Sequence, residues 1–166
     1  MLLSNNYRQW RSQILTIRPE QVGEPANGTQ VYGVIMDIGL VDIASNAPWV
    51  ISLSAFATGE ASFYPTPGGG FSGLGGDSRV SQTAQQIIAI AQTLQSMTEP
   101  ITDVTLPEPG MVQFLFFTPE GLRQLKGHLH ELQTPNHPTL PLLNRFGRIR
   151  QFADWLIDQS PADSSS

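Results

Sequence analysis

Cysteine is absent from the 166 residues, which removes disulfide frameworks, cysteine-zinc sites and thiol catalysis together. Basic charge is nearly as scarce: of nine Lys and Arg residues, Lys126 is the only lysine, and the net charge is −5. Charged residues of both signs make up 14% of the chain, against about 25% in ordinary globular proteins. A surface that tracks phosphates needs clustered Lys and Arg to release counterions, so binding to nucleic acid is disfavoured. Long apolar runs are missing too. The stretch Val31–Ile38 is broken by Gly33 and Asp37 and falls short of the ~20 residues that span a bilayer, so no membrane insertion is expected. Met1-Leu2-Leu3 turns polar at Ser4-Asn5-Asn6, with no basic segment and no sustained apolar core. No signal peptide is therefore expected, and the cytoplasm is the default location.

What is present suffices for a core. Hydrophobic residues are 40% of the chain, and a chain of this length buries roughly 70% of its unfolded surface. The composition is neither disordered nor rod-like. Tyr7, Trp10, Ile14 and Ile17 recur at helical spacing and predict a helix over 5–17, closed by Arg18-Pro19. Residues 23–30 read as a loop. Residues 31–38 are apolar on both parities, as in a strand covered on both faces. Residues 49–56 alternate, with Trp49, Ile51, Leu53 and Ala55 on one face and Ser52 and Ser54 opposite; Thr58-Gly59 and the strand-like 60–64 complete a hairpin that Pro65 and Pro67 end.

A glycine-dense corner, residues 68–76, leads into a helix over about 79–97, with Asp77 or Ser78 as its cap. Pro100, Pro107, Pro109 and Gly110 make 98–110 an extended loop across the domain. Residues 111–117 are an aromatic strand, with Phe114 and Phe116 on one face and Leu115 and Phe117 on the other. Residues 119–132 read in two ways, as a helix with Leu122, Leu125, Leu129 and Leu132 on one stripe or as a hairpin whose return arm is 121–128. The aromatic strand's need for a paired neighbour favours the hairpin. Leu142, Phe146, Ile149, Phe152 and Leu156 mark a last helix, and residues 160–166 are expected to fray. The expected architecture is one α+β domain over 1–159, a mainly antiparallel sheet of about five strands covered by helices. Its segment order is similar to that of profilin-like and roadblock-like scaffolds, an analogy that licenses no function.

Several blocks carry a resemblance: Arg11-Ser12-Gln13-Ile14-Leu15-Thr16-Ile17-Arg18-Pro19-Glu20, Tyr32 through Gly39, Ser62-Phe63-Tyr64 with Gly68-Gly69-Gly70, Leu106-Pro107-Glu108-Pro109-Gly110 and His137-Pro138. Together they resemble a family of small bacterial proteins of unknown function. The resemblance implies a bacterial, cytoplasmic protein, and the glutamine-rich, lysine-poor composition suits a cyanobacterial source. It implies no activity and carries over no catalytic residue.

Gly68-x-Gly70-x-x-Gly73 matches the dinucleotide fingerprint in letters and precedes a helix. The expected ligand-binding set is Gly69, Gly70, Ser72, Gly73, Gly75, Gly76, Asp77, Ser78 and Arg79, holding a small anion or nucleotide on main-chain donors. Context speaks for a close-packed or flexible connection instead, because a hairpin precedes the corner and no acid ends a second strand ~20 residues on. Ser72 stands one position short of a nucleophile elbow. Asp37 reads either as a buried acid or base, or as a strand end whose carboxylate caps a turn with Gly39, the commoner case. His128 and His130 could share a strand face and chelate a metal with His137 or Glu131, but surface histidines are the ordinary reading. Arg145 and Arg148, three apart, could clamp an anionic ligand or partner, but arginines flanking an apolar stripe are ordinarily its wet edge. No cofactor is implied and no acid/base pair stands at a telling spacing, which argues against an enzyme. Sparse charge with many aromatics points to a self-associating interaction module, a homo-oligomer such as a dimer.

Overall fold

A computed structural model of the protein describes residues 1–22 and 30–159; the loop expected over 23–30 and the tail 160–166 fall, apart from Gln30, outside the described residues. The centre of the sheet is the strand whose residues are apolar on both parities. This strand, β1 (Gly33–Val41), lies between β2 (Pro48–Phe56) and β5 (Met111–Thr118). With β3 (Ala61–Pro65), β4 (Glu99–Pro100) and β6 (Gly121–His128) it forms a six-stranded sheet in the order β3-β2-β1-β5-β6-β4. Every pairing is antiparallel. The α+β class expected from the sequence is the one observed, with six strands because two residues of the proline-bearing loop add β4 at the edge.

The two parities of β1 serve two cores. Val34, Met36 and Ile38 join Leu53, Phe63, Phe114 and Phe116 beneath α2 (Ser78–Leu94) and α4 (Leu140–Gln159). Ile35 joins Phe56, Tyr64, Leu115 and Phe117 beneath α1 (Asn5–Ile14). Helices therefore cover both faces, as the doubly apolar strand requires. The α1 stripe is Tyr7, Trp10 and Ile14, spaced three and four apart as the sequence reading had it. The helix stops at Ile14 and not at 17. Leu15 still donates to Arg11, but Ile17 N–H turns to the Ile14 carbonyl and the Thr16 hydroxyl bonds the Gln13 carbonyl. A side chain competing for the last carbonyls ends a helix in this way.

The hairpin alternative for 119–132 is the correct one. Thr118 pairs with Gly121, and Leu125 of β6 faces Phe114. A short α3 (Leu129–Leu132) follows, with Leu132 packed on Gly127. Both sheet edges are protected. Phe71 bonds back to Phe63 outside β3 (2.8 and 2.9 Å), and β4 is two residues long with Pro100 in it. Such edges offer little to an incoming strand.

Residues 98–110 cross the α1 face, where Ile101, Val104 and Leu106 pack on its core. Gly39 explains how they fit. A Cβ there would fall against the Glu108 carbonyl, and Gly110 donates to the Gly39 carbonyl at 3.0 Å. Gly39 thus admits a crossing chain and makes no turn with Asp37. The strand-end reading of Asp37 is corrected: β1 runs on to Val41, and Asp37 lies mid-strand and fully buried.

Candidate functional site

The carboxylate of Asp37 is saturated. Arg11 of α1 donates to both of its oxygens at 2.7 and 2.8 Å, Ser52 Oγ donates to Oδ1 at 2.6 Å, and Gln113 Nε2 donates to Oδ2 at 2.8 Å. Ser52 has a single proton and gives it to Asp37, so the Tyr7 hydroxyl must be the donor in its 2.7 Å bond to Ser52 Oγ. Gln113 spends its second amide proton on the Thr105 carbonyl and accepts from Gln124. Burial pushes the Tyr7 hydroxyl up to about 12, with Asp37 adding to the rise and Arg11 opposing it. Burial also works against the Arg11 charge, but the Asp37 carboxylate outweighs it and the guanidinium is held more firmly protonated than usual. The carboxylate is out of reach of solvent, and its hydrogen-bonding positions are taken by four donors. The network fastens α1 to the sheet. Ser52 and Ser54, which alternate like a wet face, are buried under α1, with Ser54 hydrogen-bonded to Ser62.

The glycine corner is built from the hairpin outward. Tyr64 Oη and Ser72 Oγ bond at 2.5 Å, Asn6 of α1 donates to the Gly69 carbonyl at 3.2 Å, and Leu74 is buried. Gly70 lies against Tyr64 and the Phe63 carbonyl, and Gly75 against the backbone of Gly59 and Glu60. Gly73 takes the left-handed conformation at φ 73°, and Gly73 and Gly76 have open space around them. At the start of α2, Asp77 is the cap: its own carboxylate accepts from Arg79 N–H and Val80 N–H at 2.9 and 3.4 Å. Arg79 also grips that carboxylate through Nε and Nη2, holding its pKa below the ordinary range. Ser78 and Arg79 are exposed. Of the nine residues read as a ligand set, Gly70 and Gly75 are packed against the hairpin and Gly73 and Gly76 face open space, and the first α2 amides point at a resident carboxylate.

His128 and His130 stand with ring centroids 5.5 Å apart, and His137 Nδ1 accepts from Thr139 N–H in its own turn. Among the described residues no group of three or more His, Cys, Asp or Glu could hold a metal ion. No described helix is long and apolar enough to cross a membrane.

Exposed apolar surface gathers at the far end of the β1–β2 hairpin. Asp42 organises the tip from within. Its carboxylate accepts from Ala44 N–H at 3.1 Å and Ser45 Oγ at 2.9 Å, its N–H meets the Ala47 carbonyl at 2.9 Å, and Asn46 turns the chain at φ 59°. This Asx-type closure leaves Ile43 pointing outward and fully exposed (101%). Val41, Pro48, Trp49 and Pro67 with Met1 and Leu2 (82% exposed) continue the surface as a groove of about 710 Å³. Leu106, Pro107 and Pro109 extend it past Val41. Sequence periodicity missed this surface because Ile43 lies in a turn, where burial patterns carry no signal. No protein-family profile, curated protein or solved structure matches this chain.

Proposed function

We propose that the protein is a non-enzymatic interaction module that self-associates as a dimer through the apolar end of the β1–β2 hairpin. The observation that carries this reading is the fully exposed Ile43, held outward by a closed turn beside Leu2 and Val41. Large apolar side chains grouped in the open mark association surfaces. An isologous contact brings a patch against itself, so charge in the patch would repel its own copy. Here the exposed Asp42 carboxylate is bonded to neutral donors of its own loop, so the contact must leave it at the solvent-facing rim, where polar groups of an interface stand. The protected sheet edges direct association to side chains and away from strand addition.

Sedimentation velocity tests this across a concentration series, with wild type compared with Ile43→Asp and with Leu2→Asp/Ile43→Asp. A dimer that the double variant converts to a monomer, with an unchanged far-UV circular dichroism spectrum and a melting temperature lowered to that of dilute, dissociated wild type, is the expected result. A wild type still monomeric at about 100 µM, where micromolar contacts are populated, refutes self-association. A dimer insensitive to both variants refutes the surface.

A further inference from the structure

A second concave surface lies across the molecule's helical face, between α2 and α4. Its floor is Val80 and Ile149, and its volume of about 640 Å³ lies in the range of small-molecule sites. Arg148, Phe152 and Trp155 follow one another on a single stripe of α4 at spacings of four and three. The Phe152 and Trp155 rings stack at 5.7 Å, and the outer ring, Trp155, is half exposed (52%). Arg79 approaches from α2, with its guanidinium 5.9 Å from the Phe152 centroid. Among the described residues no carboxylate lines the groove, although acids outnumber bases in the chain as a whole.

The two guanidiniums differ. Arg79 is shared with Asp77, whereas the exposed Arg148 side chain has no hydrogen-bond or ion-pair partner among the described residues. Arg145 stands apart from both, donating to Gln86 Oε1 at 3.0 Å. That bond leaves the Gln86 amide N–H groups free to donate, and Gln82 and Gln151 also line the groove. The surface therefore offers an aromatic face, one free cation, a second cation beside it and neutral amides.

We propose that this groove is a binding site for a nucleoside monophosphate. The base extends the Phe152–Trp155 stack, since every base has a π-face that an exposed indole can cover. The phosphate pairs with the Arg148 fork, while Arg79, whose charge is shared with Asp77, can contribute its remaining Nη1 donor. The planar Arg148 fork suits a phosphate monoester, whose oxygens accept two parallel N–H bonds and leave others for the neighbouring donors. Ring and anion sites are seven residues apart on α4, about 10 Å along its axis, so neither half of the ligand alone satisfies both. The glutamine amides reach the heteroatoms of base and sugar. This site shares no residue with the hairpin surface, and its test is independent of self-association.

The experiment is calorimetric titration of the full chain with AMP, adenosine and inorganic phosphate, using wild type, Arg148→Gln, Arg148→Lys and Trp155→Leu. Melting curves of each variant confirm the fold. AMP is expected to bind at least 10-fold tighter than adenosine or phosphate. Arg148→Gln is expected to weaken AMP about 10-fold, about 1.4 kcal/mol, with adenosine unchanged, and Arg148→Lys to recover part of the loss. Trp155→Leu is expected to weaken AMP and adenosine alike. Absence of AMP binding overturns the proposal. So does AMP binding that is indifferent to Arg148→Gln and Trp155→Leu, or phosphate alone binding as tightly as AMP.

Discussion

Removing the Asp37 carboxylate isolates the Arg11 charge beneath α1, and the structure sets the size of the penalty. Asp37 is fully buried and the Arg11 side chain 12% exposed, so Asp37→Ala strands a guanidinium that had two charge-assisted bonds at 2.7 and 2.8 Å. Breaking a buried pair from one side costs about 3–5 kcal/mol. Because Arg11 retains some exposure and can swing toward water, about 3 kcal/mol is expected. With a urea slope of about 2 kcal/mol/M, the midpoint falls by about 1.5 M. The double change Arg11→Met/Asp37→Leu removes both charges. Ser52 keeps its bond to Tyr7, and Gln113 keeps its bonds to Thr105 and Gln124. The Ser52–Tyr7 pair and Gln113 are each left with one buried proton that had Asp37 as its acceptor, a penalty the single variant shares, so the double variant should recover about 1–3 kcal/mol of the single variant's loss by removing the stranded charge, without reaching wild type. Equilibrium urea unfolding followed by far-UV circular dichroism and by tryptophan fluorescence measures all three, with Trp10 of α1 as a local reporter. A single variant within about 0.5 kcal/mol of wild type, or a double variant no better than the single, refutes the argument that this pair is matched and desolvated.

The glycine corner separates packing from conformational freedom. Gly75→Ala drives a methyl into the backbone of Gly59 and Glu60 and should cost about 1–3 kcal/mol, whereas Gly76→Ala meets open space at an ordinary φ and should be neutral or stabilising by up to about 1 kcal/mol; thermal melts that rank them the other way refute the close packing. Stability should also fall at alkaline pH: the Tyr7 hydroxyl titrates at about 12 in the fold and near 10 in the unfolded chain, so its contribution is complete below pH 10. Above that the unfolded state releases a proton that the fold retains, and about 2–3 kcal/mol is lost by pH 12. Tyr32, raised by burial and then by Glu20, acts in the same direction. Unfolding free energies at pH 9, 10 and 11 check this, and a slope that Tyr7→Phe leaves unchanged would remove Tyr7 as its source.

Most of the framework was legible because it follows from burial periodicity. The two-sided apolar strand did predict helices on both faces, Asp77 did predict the start of α2, and the paired-neighbour argument resolved β6. What escaped the reading was polar and local. Asp37 in an apolar strand has the same one-dimensional signature whether it ends the strand or meets a cation. The cation, Arg11, lies 26 residues earlier on a helix of which periodicity marks only the apolar stripe. Ser52 and Ser54 look like a wet face because alternation records side-chain type, not cover. The α2–α4 groove was only glimpsed in Arg79 and Arg148, for its shape depends on how the two helices pack. The exposed hairpin tip left no trace in any period at all.

The uneven distribution of polar groups between the two faces has a physical logic. On one face two long helices bring wide apolar stripes to the sheet, and a few polar contacts, such as Gln92 of α2 with the Val31 backbone, add to that burial. On the other, α1 has ten residues and three buried side chains, which could slide or rotate on a smooth apolar surface at little cost. Tyr7 and Arg11, one turn apart, engage Ser52 of β2 and Asp37 of β1 on adjacent strands, and a shift of α1 by one residue would break both contacts at once. Charge burial contributes little net stability; what it supplies here is register. A helix fixed in this way also sets where Ser4 N–H meets the Thr66 carbonyl, at 2.9 Å, and hence where Met1 and Leu2 emerge beside Pro67 and the hairpin. The buried network and the proposed interface are in this sense one device, since the polar contacts beneath α1 position the apolar residues just ahead of it.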